Sequence, residues 1–164
     1  MIPTIRAARP EDVPEIHRLV RGLAEYEKLL HKAVATEADY HAAFFGRSPA
    51  VHALVAEDAA AGLIGVAVYY YTFNTFSCRR AIFLEDLFVE PAHRGTGSGL
   101  GLLRHLARKA VEEDCARIDW WVLNWNEPSI AFYERIGATR MTDWQVRQLE
   151  GQALVALAEG ARNG

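Results

Sequence analysis

The sequence has few of the residues that build a metal site, a disulfide framework or a membrane span. Its two cysteines, Cys78 and Cys115, lie far apart, and its six histidines show no ligand spacing. We therefore expect free thiols, a reducing cytoplasmic location and no bound metal. No run of about 18 apolar residues is present, and MIPTIRAARPEDV at the N-terminus lacks the apolar core of a signal peptide. The sequence thus predicts no membrane partner.

The charge balance gives no reason to expect a nucleic-acid partner. Lys and Arg number 18 against 21 Asp and Glu, so the formal net charge is −3, whereas nucleic-acid-binding domains usually carry a basic excess. The slight acidic excess suits a cationic substrate. Since no repeat, linker or low-complexity tract interrupts the 164 residues, residues 1–164 are predicted to form a single domain.

The spacing of apolar residues predicts an α/β fold. Predicted strands cover 4–8, 51–57, 63–73, 81–90, 117–124 and 144–150; predicted helices cover about 10–26, 36–45, 99–113 and 128–136, with a helical turn at 153–160 and a frayed tail at 161–164. Gly22 should break or bend the first helix. The strands at 51–57, 63–73 and 81–90 should be antiparallel, and a helix-containing crossover should make 81–90 and 117–124 parallel. The prediction is a mixed, mostly antiparallel central sheet with helices on both faces.

A glycine-rich loop, RGTGSGLG at 94–101, follows the apolar run FLEDLFVEPAH. Backbone N–H groups at a helix N-terminus, unobstructed by Cβ atoms, can form an anion site, and Arg94 adds a cation suited to phosphate. A P-loop would continue with Lys and Ser or Thr, but Gly101 is followed by Leu102. The G-x-G-x-x-G dinucleotide fingerprint fails in every register. A tight turn and a phosphate loop of another class stay open.

Two segments of the chain resemble the GNAT superfamily of N-acetyltransferases. FLEDLFVEPAHRGTGSG (83–99) resembles the central motif, whose R/Q-x-x-G-x-G/A loop wraps the pyrophosphate of acetyl-CoA; the matching residues are Arg94, Gly97 and Gly99. NWNEPSIAFYERIGA (124–138) resembles the second block of the family. Together with LAEYE (23–27) and YYYTF (69–73), it resembles the diamine branch, which includes the spermidine/spermine and thialysine acetyltransferases. The similarity extends over roughly residues 4–150.

The resemblance implies a GNAT fold with acetyl-CoA as cosubstrate. Backbone N–H groups of the loop would hold the diphosphate, and those of Leu87 and Val89 would hold the pantetheine arm. A bulge in the 81–90 strand would leave an N–H group to stabilise the developing oxyanion. The implied cofactor-binding residues are Leu87, Phe88, Val89, Arg94, Gly95, Thr96, Gly97, Ser98, Gly99, Leu100, Asn126, Ser129 and Tyr133.

Two side chains are candidates for proton transfer. An alkyl ammonium, with a pKa of about 10.4, must lose a proton before it attacks, and Glu85 is the candidate base, acting directly or through water. The resemblance implies that Tyr133 is the general acid for the departing thiolate. Strand alternation would put Glu85 and Asp86 on opposite faces, so they need not act together. An ion pair or edge charge for the acids, and core packing for Tyr133, are the structural alternatives.

The resemblance also implies a small primary amine as substrate. Carboxylates and aromatic faces bind alkyl ammonium groups, and the candidate positions are Tyr26, Glu27, Glu85, Asp86, Asp119, Trp120 and Trp121. The alternative for the tryptophans is core packing. Where polyamine acetyltransferases carry an acid-Pro-Trp stretch, this chain has Asn74-Thr75-Phe76, so a carboxylate is missing. A shorter diamine, a thialysine-like amino acid or another amine therefore stays open.

A homodimer is implied as well, with the 144–158 segment at its interface. The apolar tail LEGQALVALAEG needs a partner surface in any case. Two other functions stay open, namely acetylation of a protein lysine or N-terminus and CoA binding without catalysis, because fold does not fix function. The presence of Tyr133 and Glu85 favours direct transfer of acetyl to a small amine, without a covalent enzyme intermediate.

Overall fold

A computed structural model describes residues 3–160 of the chain. The elements are β1 (Thr4–Ala7), α1 (Val13–Tyr26), α2 (Glu37–Phe45), β2 (His52–Asp58), β3 (Gly62–Asn74), β4 (Arg79–Val89), α3 (Ser98–Glu112), β5 (Ile118–Trp120), α4 (Glu127–Arg135) and α5 (Gly151–Ala158). The chain divides into two compact units, Met1–Trp121 and Val122–Gly164. The predicted fraying of 161–164 falls outside the described residues.

The strands of the first unit form one mixed sheet in the order β1-β2-β3-β4-β5. β1 to β4 pair antiparallel, whereas β4 and β5 are parallel. Because β4 and β5 run parallel, their connection must cross over one face of the sheet, and α3 supplies that crossover. The predicted sheet and its parallel β-α-β unit are confirmed.

Helices pack on both faces of the sheet, as predicted. On one face, Ile16 and Leu19 of α1 belong to a buried cluster that includes Val68 and Phe88. On the other face, α3 contacts β1 to β4, and its Leu106 is fully buried. The C-terminal end of β4, from which the chain continues into the glycine loop, therefore lies between two helical layers.

The start of α2 follows a capping signal in the sequence. Thr36 Oγ1 accepts a hydrogen bond from the N–H of Asp39 at 3.3 Å, and Asp39 Oδ2 accepts one from the N–H of Thr36 at 2.8 Å. This reciprocal capping box satisfies two backbone donors that a helix terminus leaves unpaired. The predicted helix start at Thr36 is confirmed.

Gly22 does not break α1, so the part of the prediction that expected a break is wrong. A Cβ added at Gly22 would lie 3.0 Å from Cε1 of Phe88. The glycine therefore gives the Phe88 ring room to pack against the helix, and the helix continues without interruption.

Two strand predictions near the C-terminus are corrected. β5 contains three residues, far fewer than the predicted 117–124. Within the described part of the chain, 144–150 forms no strand, and Trp144 and Val146 are exposed. The alternation of these residues is that of a strand, but no partner strand pairs with it there. The helical turn predicted at 153–160 is the two-turn helix α5. No helix within residues 3–160 is long and apolar enough to cross a membrane.

Candidate active site

A β-bulge interrupts β4 at Glu85. Val68 of β3 pairs with Asp86, and the next residue, Tyr69, pairs with Leu84. Glu85 is therefore the surplus residue of the pair, and alternation restarts after it. The expectation that Glu85 and Asp86 project to opposite faces does not hold, because that expectation assumes an unbroken strand.

The carboxylates near the bulge share one electrostatic environment. Burial, followed by the charges of Glu85 and Glu27, raises the pKa of Asp86 to about 7. Burial also raises the pKa of Glu27, which directly follows α1. Tyr40 of α2 lies close enough that the charge of Asp86 adds to burial in raising the tyrosine pKa. A cationic ligand would relieve this repulsion, so the cluster favours binding of an ammonium group.

An aromatic row crosses the sheet beside the bulge. The Tyr70 and Phe83 ring centroids lie 5.3 Å apart, and the Phe83 and Trp121 centroids also lie 5.3 Å apart. Phe83 pairs with Asp119 across β4 and β5, so Asp119 and Trp121 share the face of Phe83. Trp120 pairs with Leu84 and projects to the opposite face. The structure thus brings Asp119 and Trp121 together with the aromatic row and separates Trp120 from them.

The glycine loop holds its backbone in a conformation that needs glycine. Gly95 and Gly97 have φ angles of +79° and +90°, and a Cβ at either would meet no atom within 4 Å. Thr96 Oγ1 lies 2.8 Å from the carbonyl oxygen of His93, to which it donates, and 2.7 Å from Oγ of the buried Ser98. These contacts fix the path of the chain into α3.

The N–H groups of this loop are available to an anion. Among residues 3–160, no acceptor is found for the N–H groups of residues 95–97, and the next three begin the helix, where no intrahelical acceptor exists. Gly101 donates the first helical hydrogen bond, to Gly97 at 2.8 Å. An open row of N–H groups at a helix N-terminus fits a diphosphate. The residues present therefore suit the coenzyme that the sequence implies.

Arg94 connects this loop to α1 and β4. Its Nε donates to the carbonyl oxygen of Val89 at 3.1 Å, and its guanidinium lies 4.8 Å from the ring centroid of Tyr26. Tyr26, a predicted substrate residue, is thus in contact with the loop arginine. This contact places the end of α1 beside the acids and the glycine loop.

One edge of β4 is open beyond the bulge. The β4–β5 pairing ends at Leu84 and Trp120, so within the described chain no strand pairs with that edge after Leu84. The N–H of Glu90 donates to Ile64 on the β3 side. By alternation, the N–H groups of Leu87 and Val89 point to the open edge. An extended ligand such as a pantetheine arm can add there as a strand would.

The second unit contains the remaining predicted residues. Asn126 is buried, and its carbonyl oxygen accepts from the N–H of Ile130 at the start of α4. Ser129 and Tyr133 lie four residues apart on α4 and share a helix face. The rings of Phe132 and Tyr133 are 5.4 Å apart. α4 therefore confirms the predicted helix, and Asn126 is the buried residue that precedes it.

Sequence reasoning did not find Tyr40, Tyr70 and Phe83. Tyr70 and Phe83 lie within the segments YYYTF and FLEDLFVEPAHRGTGSG, but the resemblance gave them no role, and Tyr40 lies in neither segment. Each is placed by pairing register or by helix packing. A signal for Tyr70 and Phe83 exists only in hindsight, since the tight connection between β3 and β4 brings them opposite each other.

Comparison with known proteins gives one consistent family. The profile of the acetyltransferase (GNAT) family matches residues 16–138. A thialysine N-epsilon-acetyltransferase from Bos taurus is 35% identical over 94% of this chain and 96% of that protein. An L-ornithine N5-acetyltransferase from Arabidopsis thaliana is 28% identical over 96% of this chain and 88% of that protein.

A solved structure shares this fold over nearly the whole chain. An integron cassette protein from the mobile metagenome of V. cholerae has a TM-score of 0.81 and 28% identity, and the match covers 97% of this chain and 99% of that one. The family profile covers most of the chain, and the open β4 edge and glycine loop suit the acetyl-CoA that this family generally uses. The chain belongs to the GNAT family of acetyltransferases and is an enzyme of that class.

Proposed function

We propose that this protein, as a single domain of residues 1–164, transfers acetyl from acetyl-CoA directly to a primary amine of a small cationic substrate. The substrate would be a diamine, a polyamine or a thialysine-like amino acid. The observation that carries the proposal is the Glu85–Asp86 pair at the bulge, where β4 also loses its β5 partner. The names of the relatives, which act on thialysine and ornithine, support it.

The first unit supplies the groups that would bind the coenzyme. N–H groups of residues 95–100 would hold its diphosphate, and those of Leu87 and Val89 would hold its extended arm, with Phe88 between them. Bound in this way, acetyl-CoA supplies the acetyl group as an activated thioester. Arg94 would add positive charge near the phosphates. In the second unit, Asn126, Ser129 and Tyr133 are proposed contacts because they match the family block.

The acids would bind the amine and remove its proton. Glu85 is exposed, so it can pass a proton on to water, and we propose it as the general base. Asp86 is the alternative base, since its pKa of about 7 lies close to neutral pH. Glu27 and Asp119 would stabilise cationic parts of the substrate, and Tyr133 would return a proton to the sulfur atom of the leaving group.

A thiol-release assay with acetyl-CoA tests the proposal. The panel contains diamines, polyamines, amino acids with side-chain amines, aminoglycosides and lysine peptides. We expect release with small amines and none with peptides. Glu85→Gln and Tyr133→Phe should each lower kcat by about 10²- to 10⁴-fold, whereas the exposed Glu112→Gln on α3 serves as the matched control and should not. Unchanged pH–rate profiles in Glu85→Gln would exclude the base role.

The same assay separates two other functions. Thiol release with peptides alone would indicate a protein N-acetyltransferase. Heat of CoA binding without release by any amine would indicate a binding module. Neither outcome is expected, because the Glu85–Asp86 pair suits a free ammonium group.

We also propose that the protein forms a homodimer through residues 144–158. Large apolar side chains of this segment are exposed: Trp144, Val146, Leu149, Leu154, Val155 and Leu157. Such a concentration of exposed apolar side chains is unusual for a monomer and is typical of a protein interface. A second copy of the chain would cover it.

A further inference from the structure

Arg117 and Asp119 form an ion pair at the start of β5. Arg117 Nε lies 2.7 Å from Oδ2 and 3.0 Å from Oδ1 of Asp119. Residues two apart on an extended chain project to the same face, so this pair shares the face of Phe83. Among the described residues, the two Nη groups of Arg117 find no acceptor, and both side chains are partly exposed. Both members of the pair can therefore bind a ligand.

The pair lies at a defined distance from the acids of the bulge. Asp119 pairs with Phe83, and Phe83 precedes Glu85 by two residues. With about 4.8 Å between strands and about 6.6 Å for two residues, the backbones of Asp119 and Glu85 are about 8 Å apart. Phe83 lies between the two charged ends, and Trp121, 69% exposed, borders it.

This surface therefore carries three kinds of contact in a row. One end has carboxylates alone, the middle is aromatic, and the far end has an arginine beside a carboxylate. A plain diamine complements the first two parts but brings no anion that could accept hydrogen bonds from the Nη groups of Arg117. An α-amino acid with a side-chain amine complements all three, because its α-carbon bears both an ammonium and a carboxylate.

We propose that Arg117 and Asp119 bind the α-carboxylate and the α-ammonium of an amino-acid substrate. Its side-chain amine then reaches Glu85 and Asp86, and Phe83 and Trp121 contact its methylene chain. A chain of three or four atoms between the α-carbon and the amine, roughly 5–6 Å when extended, matches this spacing. The inference rests on the proposed acetyl transfer and narrows its substrate class to amino acids.

Pairs of substrates that differ only in the carboxylate test the inference. The measurement is kcat/KM for L-ornithine against putrescine and for L-lysine against cadaverine. The wild-type protein should prefer the amino acid of each pair by at least about tenfold. Arg117→Gln should lower kcat/KM for the amino acids by about 10- to 100-fold, mainly through KM, because a charged hydrogen-bonded contact is lost. Its kcat/KM for the diamines should change by less than about twofold.

Matched variants separate recognition from folding. Arg117→Lys should restore part of the preference for amino acids, and Asp119→Asn should raise KM for both members of a pair. Arg47→Gln, at an exposed arginine that follows α2, should leave every value unchanged. Arg117→Gln should unfold within a few degrees of the wild type, because exposed ion pairs contribute about 0–1 kcal/mol.

Any one of four outcomes would overturn the inference. The first is a wild type that prefers the diamines, and the second is an Arg117→Gln variant that lowers kcat/KM equally for an amino acid and its diamine. Either result would mean that Arg117 and Asp119 do not recognise the α-carboxylate. If no amine in the panel releases thiol, the proposed function fails and the inference fails with it. Acetylation without carboxylate preference refutes the inference alone.

Discussion

The two compact units differ in how far their apolar side chains are buried. The first unit buries its large aliphatic residues on both faces of the sheet, with Ile16, Leu102 and Leu106 fully inaccessible. Among residues 122–160 the single buried side chain is polar, that of Asn126, while Trp144 and Leu157 are exposed. The first unit is therefore stabilised by a core of its own, whereas the second exposes apolar surface, which the proposed dimer would cover.

The largest expected effect is on assembly, and it would come from the second unit. The double variant Val146→Glu and Leu157→Glu should convert a dimer to a monomer, since charges would be buried at the interface. Sedimentation equilibrium should show the mass halved. Val111→Glu, at an apolar residue of the first unit that is 81% exposed, is the control and should remain dimeric. A dimer that survives the double variant would remove the proposed interface.

A leucine-to-alanine substitution in each unit tests this difference between a buried core and an exposed apolar surface. Leu106→Ala should lower the free energy of unfolding by about 2–5 kcal/mol, because it leaves a cavity in the core. The loss should be similar at every protein concentration. Leu157→Ala should have a small effect in dilute solution that grows with concentration, because the residue would stabilise association. Urea unfolding at several protein concentrations measures both; equal, concentration-independent losses would contradict the contrast.

The pH dependence of stability should depend on Asp86. Its pKa is raised from an ordinary value near 4 to about 7, so between these values the folded state keeps a proton that the unfolded state has lost. Wild-type stability should fall as pH rises through this range, by on the order of 2–4 kcal/mol. Asp86→Asn should remove the decline and be the more stable protein at pH 8.

The control for this measurement lies in the second unit. Asp143 is exposed, so Asp143→Asn should follow the wild-type curve from pH 4 to pH 8. Thermal unfolding across this range checks both variants. A wild-type stability that is flat from pH 4 to pH 7 would mean that the Asp86 carboxyl is well solvated.

A smaller effect is expected from two glycines with nearly the same backbone. Gly97 in the loop and Gly137 after α4 have φ angles of +90° and +88°, so alanine at either should cost about 1–2 kcal/mol. Only Gly97→Ala should also weaken CoA binding, because its N–H would contact the diphosphate. Urea unfolding measures the first effect and calorimetric titration of CoA the second. Equal CoA affinity in both variants would argue against the loop as the phosphate site.

Sequence patterns predicted the first unit well because its signals are local. The β-branched and aromatic residues of β3 and β4 reflect burial in the centre of a sheet, and the capping residues of α2 act on the nearest turn. The 144–150 segment has the same alternation but forms no strand among the described residues. Alternation of apolar and polar residues indicates only that an extended segment would have two different faces. A strand also needs a partner strand, and the residues of the segment do not specify one.

The sequence indicated the candidate site only where a family motif covers it. Resemblance to that motif pointed to the loop and to the Glu85–Asp86 pair, but it did not locate the bulge at Glu85, and the break expected at Gly22 does not occur. The bulge and the role of Gly22 both concern Phe88. Its ring occupies the space beside Gly22, and, for a strand of this sequence, the bulge decides on which face of the sheet the ring lies. Contacts of this kind connect α1 to β4 across more than sixty residues of sequence, and a local pattern does not contain them.

The surplus residue in β4 also bears on how this strand can change over evolutionary time. Deleting Glu85 would leave the pairs on both sides of it in register, because Leu84 would still lie opposite Tyr69 and Asp86 opposite Val68. Phe88 would keep its place opposite Val66, and the hydrophobic layer under α1 would be preserved. An acid at this position can therefore be gained or lost by a single insertion or deletion without rebuilding the fold.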